Sequence, residues 1–202
     1  MEYTAHCDSP LGGITLSSDG EALLGLWFDG QKLFASTLAP DHEERALPVF
    51  DLAQRWLEVY FGGRDPGFTP PLRMNATPFR HAVWEILLTI PFGRTMTYGE
   101  IAAELARRNG LPRMSAQAVG GAVGHNPISL IVPCHRVVGA DGSLTGYGAD
   151  SSGNGFCLRW RALMRAFSIL PGNKKRHANL RGLCTDGSGL KSVLRRGGCC
   201  LR

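Results

Sequence analysis

Along the first sixty residues the spacing of apolar positions changes period once. Ile14 and Leu16 alternate with Thr15 and Ser17, Asp19-Gly20 is a hairpin signal, and Leu23 to Phe28 is a second apolar run closed by Asp29-Gly30. Residues 9–34 therefore read as meander strands. From Phe50 the period is helical: Phe50, Ala53, Trp56, Leu57, Tyr60 and Phe61 share one face, and Gly62-Gly63 ends it. Residues 64–76 (RDPGFTPPLRMNA) are rich in proline and turn formers and read as a linker.

Beyond the linker, Thr77 is an N-cap with Pro78 at the first helical position, and Phe79, Val83, Ile86, Leu87 and Ile90 repeat at helical spacing until Pro91 and Gly93. Trp84 belongs to the packing of that helix. Thr97 and Glu100 form a capping-box pattern, Ile101 and Leu105 share a face, and Gly110 to Pro112 break the chain before Ser115 caps a second short helix. Two short helices joined by a glycine-containing turn fit a helix-turn-helix. The second carries only Ala, Val, Gly and Gln from Ala116 to Val123, small side chains that let a partner approach its backbone. Ile128, Leu130, Ile131 and Val132 then read as a short buried strand that Pro133 ends.

The fold class is thus α+β. A small N-terminal β-sheet plus helix domain occupies residues 1–70, and a mostly helical domain with the helix-turn-helix and the short buried strand before Pro133 occupies residues 71–150. A basic tail, 151–202, is expected to be poorly ordered.

Charge sharpens that division. The 202 residues carry a formal +5. Residues 1–150 hold 11 Lys and Arg against 16 Asp and Glu, a net of −5, and residues 151–202 hold 11 against Asp186 alone, a net of +10. The basicity that ordinarily suggests nucleic acid lies in the tail. The N-terminus is too polar for a signal peptide and no run approaches a membrane span, so a cytoplasmic protein is expected, nuclear in a eukaryote. The six cysteines show no C-x-x-C spacing and no metal-ligand pattern with histidine, which predicts no metal and no disulfide framework.

One cysteine has chemistry written around it. Cys134 lies between Pro133 and His135 at the exit of the apolar run, and a neighbouring imidazole, directly or through water, is the usual means of ionising a thiol. The segment NPISLIVPCHRVVGADGSLTGY resembles the active-site segment of the O6-methylguanine-DNA methyltransferases, whose signature is Pro-Cys-His-Arg-Val preceded by Asn-Pro and followed by Gly-Ser-Leu-Thr-Gly-Tyr. The match is long and ungapped.

That resemblance implies a protein that needs no cofactor. It would bind double-stranded DNA, flip an O6-alkylguanine or O4-alkylthymine out of the stack, and move the alkyl group onto itself once. Cys134 would be the acceptor, His135 the water-linked base, Asn126 a hinge side chain, and Tyr98 a contact to the target nucleotide that donates a proton as guanine leaves. Pro133, Val137, Tyr147 and Gly148 would shape the base pocket. The second helix would enter the minor groove, which carries little base information, with Ser115, Gln117, Ala118 and Gly120 on it, and Thr97 and Arg136 nearby, contacting DNA. Arg136 is as readily a structural ion-pair residue. A monomer is the default.

The sequence departs from the family in two places. Gln117 stands where the family usually has an arginine that fills the gap left by the flipped base, which implies weaker flipping. The family's glutamate partner for the histidine, on a helix after the Gly-Tyr loop, has no counterpart, since no glutamate follows Glu104. The nearest local match, Arg159 to Met164, puts Phe167 close to the acidic position, and from Asp150 onward the chain no longer looks like the family. The alternative reading is a lesion-binding relative that flips alkylguanine with impaired transfer or none.

Overall fold

In the computed structural model, the structure describes residues 1–143. The expected tail and the two pocket positions Tyr147 and Gly148 lie outside the described residues.

The N-terminal sheet is longer than the apolar alternation indicates. Strands β1 (Glu2–Ser9), β2 (Gly12–Ser18), β3 (Leu23–Phe28) and β4 (His42–Glu44) stand in the order β3-β2-β1-β4. β1 pairs antiparallel with β2 from Tyr3↔Ser18 to Ser9↔Gly12, and β4 lies parallel to β1. The pattern gave little sign of β1 because Tyr3, Ala5 and Cys7 are only partly covered where they pack on the core. Between β2 and β3 the Asp19 carboxylate accepts from the backbone N–H of Glu21 and Ala22, and Gly20 takes φ 105°. Only glycine visits that region freely.

Helix α1 (Pro48–Phe61) lays Val49, Phe50, Ala53, Trp56, Leu57 and Tyr60 inward. It begins two residues before the first expected apolar position because Pro48 sits at its start, where a missing N–H costs nothing. Across the linker come α2 (Pro78–Leu88), β5 (Met96–Thr97), α3 (Tyr98–Arg108), α4 (Ala116–Gly124), a 3₁₀ turn at Cys134–Arg136, and β6 (Val137–Val138), which pairs parallel with β5.

The caps are as the sequence indicates. Thr77 accepts from Arg80 N–H, Thr97 and Glu100 complete a reciprocal box, and Ser115 accepts from Ala118 N–H. Trp84, 1% exposed, donates its indole N–H to the Ala122 carbonyl at 2.9 Å and so fixes α4 against α2.

One apolar core runs from Leu11 to Val137 with contributions from both sides of the linker. The outer edge of β3 is covered twice. Leu23 bridges to Leu72 and Leu26 bridges to Ile128, so the N-terminal sheet grips both the linker and the segment that leads to Cys134. Among the described residues no helix is long and apolar enough to cross a membrane.

Candidate active site

The segment from Asn126 to Val138 is buried as expected, but it is not a strand as far as Pro133. Ile128 alone makes a bridge, and residues 129–132 turn back on themselves. Proline at 133 has less to do with this than the buried polar side chain at its centre. Asn126 Oδ1 accepts from Ile128 N–H at 3.0 Å, and its Nδ2 donates to the carbonyls of Ile128 (3.1 Å) and Val132 (2.9 Å). The amide thereby takes the place of strand neighbours for three backbone groups. Leu130, fully buried, is held at φ +68° inside this turn. A left-handed non-glycine residue costs roughly 1–2 kcal/mol, which the surrounding clamp must offset. From outside, Leu26 N–H donates to Pro127 O, Ser129 N–H donates to Leu26 O, and the Ser129 hydroxyl reaches Gln31 Oε1 at 3.3 Å.

The turn delivers Cys134 to the start of the 3₁₀ turn, with its N–H on Val132 O at 2.8 Å and its carbonyl accepting from Val137 N–H. The thiol is partly buried. Burial pushes its pKa up, and hydrogen bonds from the Asn126 amide and from the backbone at His135 and Cys134 work against that shift. Cys7, by contrast, is driven up to about 11 by burial and then by Asp8 and Asp29, with no opposing hydrogen bond.

His135 is fully buried beside it, its Nε2 2.7 Å from the hydroxyl of Tyr60 on α1. Burial, and after it the Arg136 charge, hold this imidazole well below its ordinary 6.5, so the ring is neutral at rest. Arg136 does not face outward. It is 7% exposed, donates Nη1–H to Ile90 O at 2.6 Å and lies over the Phe92 ring at 5.6 Å, which makes it an internal tie between this turn and the end of α2.

Tyr98, the first residue of α3, is half-buried, and its pKa is pushed up to about 12 by burial and next by the nearby Cys134 charge. It is a neutral phenol and can serve as a donor. A Cβ built on Gly120 would lie 3.8 Å from its ring, an ordinary contact, so α4 packs closely on Tyr98.

The structure brings together Tyr98, Asn126, Pro133, Cys134, His135 and Val137. It sets Ser115, Gln117 and Ala118 apart, exposed on α4, with Gly120 half-buried between the two groups. The Thr97 hydroxyl is occupied by Glu100, accepting from its N–H and donating to its carboxylate, so its role here is to start α3. Tyr60 escaped the sequence reading, which counted it only as a core position. A buried phenol hydroxyl needs a polar partner, and its place on an otherwise apolar helix face was the available signal.

Residues 2–74 match the family described as "6-O-methylguanine DNA methyltransferase, ribonuclease-like domain", and residues 78–163 match "6-O-methylguanine DNA methyltransferase, DNA binding domain". The second match corrects the expectation that the likeness ends at Asp150: it continues to residue 163 and includes most of the Arg159 to Met164 segment. Curated relatives named "Methylated-DNA--protein-cysteine methyltransferase" include that of Mycobacterium tuberculosis, 44% identical over 150 residues (73% of this chain, 85% of the relative). Those of Haemophilus influenzae (37%; 78% and 84%) and Methanosarcina acetivorans (42%; 78% and 96%) are similar too. Among solved structures, the chain resembles Mycobacterium tuberculosis O6-methylguanine methyltransferase (TM-score 0.66, 38% identity, 91% of this chain and 99% of that one). It also resembles the same organism's OGT in complex with DNA (TM-score 0.65, 38%, 85% and 95%).

Proposed function

The chain belongs to the 6-O-methylguanine DNA methyltransferase family, and from that premise we propose that Cys134 takes the alkyl group from O6-alkylguanine in duplex DNA. The protein is a methylated-DNA–protein-cysteine methyltransferase that repairs DNA directly. The partner is double-stranded DNA carrying the alkylated base, and the place of work we infer is the cytoplasm.

The observation that carries the residue assignment is the turn at Asn126. It converts an apolar run into a buried loop that presents one thiol beside one neutral imidazole and one neutral phenol. In the reaction the Cys134 proton passes to His135, and the thiolate attacks the alkyl carbon in line. The bond from that carbon to guanine O6 breaks with its electron pair going to the base. Tyr98 protonates the departing guanine, and a thioether remains on Cys134. Because a thioether is a stable product with no route back to the thiol, each molecule acts once. Pro133 and Val137 wall the pocket.

The division of labour we propose is in keeping with family matches over residues 2–74 and 78–163. Residues 1–70 brace the site and residues 71–150 carry DNA binding and transfer. The exposed face of α4, with Ser115, Gln117 and Ala118, meets the duplex, and residues 151–202, of which 151–163 fall within the DNA-binding-domain match, carry the net positive charge of the sequence. Gln117 brings a hydrogen-bonding side chain to the flipping step without a charge.

Titration of a duplex containing one O6-methylguanine with increasing protein tests this reading. Demethylation should end at one equivalent of protein per lesion, and Cys134→Ala should give none while still binding the duplex. Tight lesion binding without demethylation by the parent chain would instead support a lesion-binding protein.

A further inference from the structure

Two residues 75 positions apart meet at the heart of the site. Tyr60 belongs to α1, in the part of the chain that braces the site, yet its hydroxyl lies 2.7 Å from His135 Nε2. Its ring is fixed on several sides. It stacks on Trp56 (centroids 4.8 Å, 10°), meets Phe92 edge-on (5.6 Å, 86°) and meets the imidazole edge-on (5.8 Å, 78°). Tyr60 and His135 are each 0% exposed.

We propose that Tyr60 is the positioning residue of the His135 base, its phenol oxygen accepting the Nε2 hydrogen so that the ring exchanges protons with Cys134 through Nδ1. This rests on the alkyl-transfer reading above. The argument is one of hydrogen accounting. When His135 takes the thiol proton it becomes an imidazolium, and both ring nitrogens are then donors. Nε2–H then needs an acceptor within the core, where His135 is fully buried, and the Tyr60 oxygen is within hydrogen-bond distance before the proton arrives.

A neutral phenol differs from a carboxylate in one respect that matters here. It orients the ring and receives its hydrogen without adding negative charge, so the resting imidazole stays neutral beside Arg136. Tyr60 itself remains protonated: burial pushes it up to about 12, while the Arg136 guanidinium beside it pulls the other way. The titratable and charged groups around His135 among the described residues include Tyr60 of α1, Cys134 and Arg136 of its own turn, and, through Cys134, Tyr98 of α3. The 202-residue sequence contains no glutamate beyond Glu104 to perform the same task.

The test compares the full chain with Tyr60→Phe, which keeps the ring and its stacking. One assay follows alkylation of Cys134 by iodoacetamide from about pH 6 to about pH 10, read from the mass of the Cys134 peptide. The other follows single-turnover transfer from an O6-methylguanine duplex. Tyr60→Phe is expected to slow both roughly 10- to 100-fold near neutral pH, to move the alkylation profile upward in pH, and to leave duplex affinity unchanged. Unchanged rates and profile in Tyr60→Phe overturn the role of Tyr60 while the repair reading stands. A parent chain that transfers nothing, but whose alkylation profile still responds to Tyr60→Phe, overturns the repair reading and keeps the role. If Tyr60→Phe does not fold, nitrogen NMR of His135 in the parent chain decides. The Nε2–H tautomer is expected, and an Nδ1–H tautomer overturns the proposal.

Discussion

Asn126 shows how one side chain can set the shape of a site. Its amide makes three hydrogen bonds to buried backbone, accepting from Ile128 N–H and adding a second donor to the carbonyls of Ile128 and Val132. Asn126→Ala should therefore cost roughly 2–4 kcal/mol in urea unfolding, at about 1 kcal/mol per bond. It should also slow Cys134 alkylation near pH 8, a region where a raised thiol is mostly protonated, because the Asn126 hydrogen bond is one of the few influences lowering the Cys134 pKa. A loss of stability much smaller than this would mean the turn is held by Leu26 and Gln31 instead. Cys134, His135 and Asn126, which the structure brings together, could all be singled out in the sequence, because the chemistry of a thiol beside an imidazole is local and the flanking motif is long. Tyr60 was not, because its partner is 75 residues away and an apolar helix face gives the same pattern whether or not a hydroxyl on it is used.

At the scale of elements, the helices could be read from their caps and the turn at 129–132 could not. Thr77, Thr97, Glu100 and Ser115 act within three residues of themselves, so sequence carries their whole effect. The run Ile128 to Val132 is apolar for burial's sake, and only the inward amide of Asn126 and the edge of β3 decide that it bends. Strand β1 was hidden for a related reason, since its side chains are half covered and alternate weakly. The element most open to alteration is α4, whose exposed face carries Gln117 but no charged residue between Ala116 and Gly124. Gln117→Arg should tighten binding to duplex DNA and steepen the slope of log affinity against log salt by about 1. An unchanged salt slope would place that side chain away from the phosphates.

For the whole molecule, the core that joins the two family matches makes the catalytic turn part of the fold's own stability, and pH should reveal it. Cys7 is raised from its ordinary 9.0 to about 11, and Tyr60 and Tyr98 from 10.0 to about 12, so each stays protonated when folded at pH values where the unfolded chain ionises. Cys134 shifts the same way. Stability from these groups is full below pH 9 and is lost as pH rises past it. His135 works oppositely: folded it stays neutral, so its contribution is full above 6.5 and is lost as pH falls below. Thermal melts should therefore show a plateau between about pH 6.5 and pH 9 with a fall on each side, and a Tm still rising at pH 10 would contradict these environments. The central claim is that this whole arrangement exists to put one alkyl group on one sulfur. Peptide mass analysis after reaction with an O6-methylguanine duplex tests it most directly: a single added methyl on the Cys134 peptide is the expected result, and a demethylated duplex with Cys134 unmodified would contradict it.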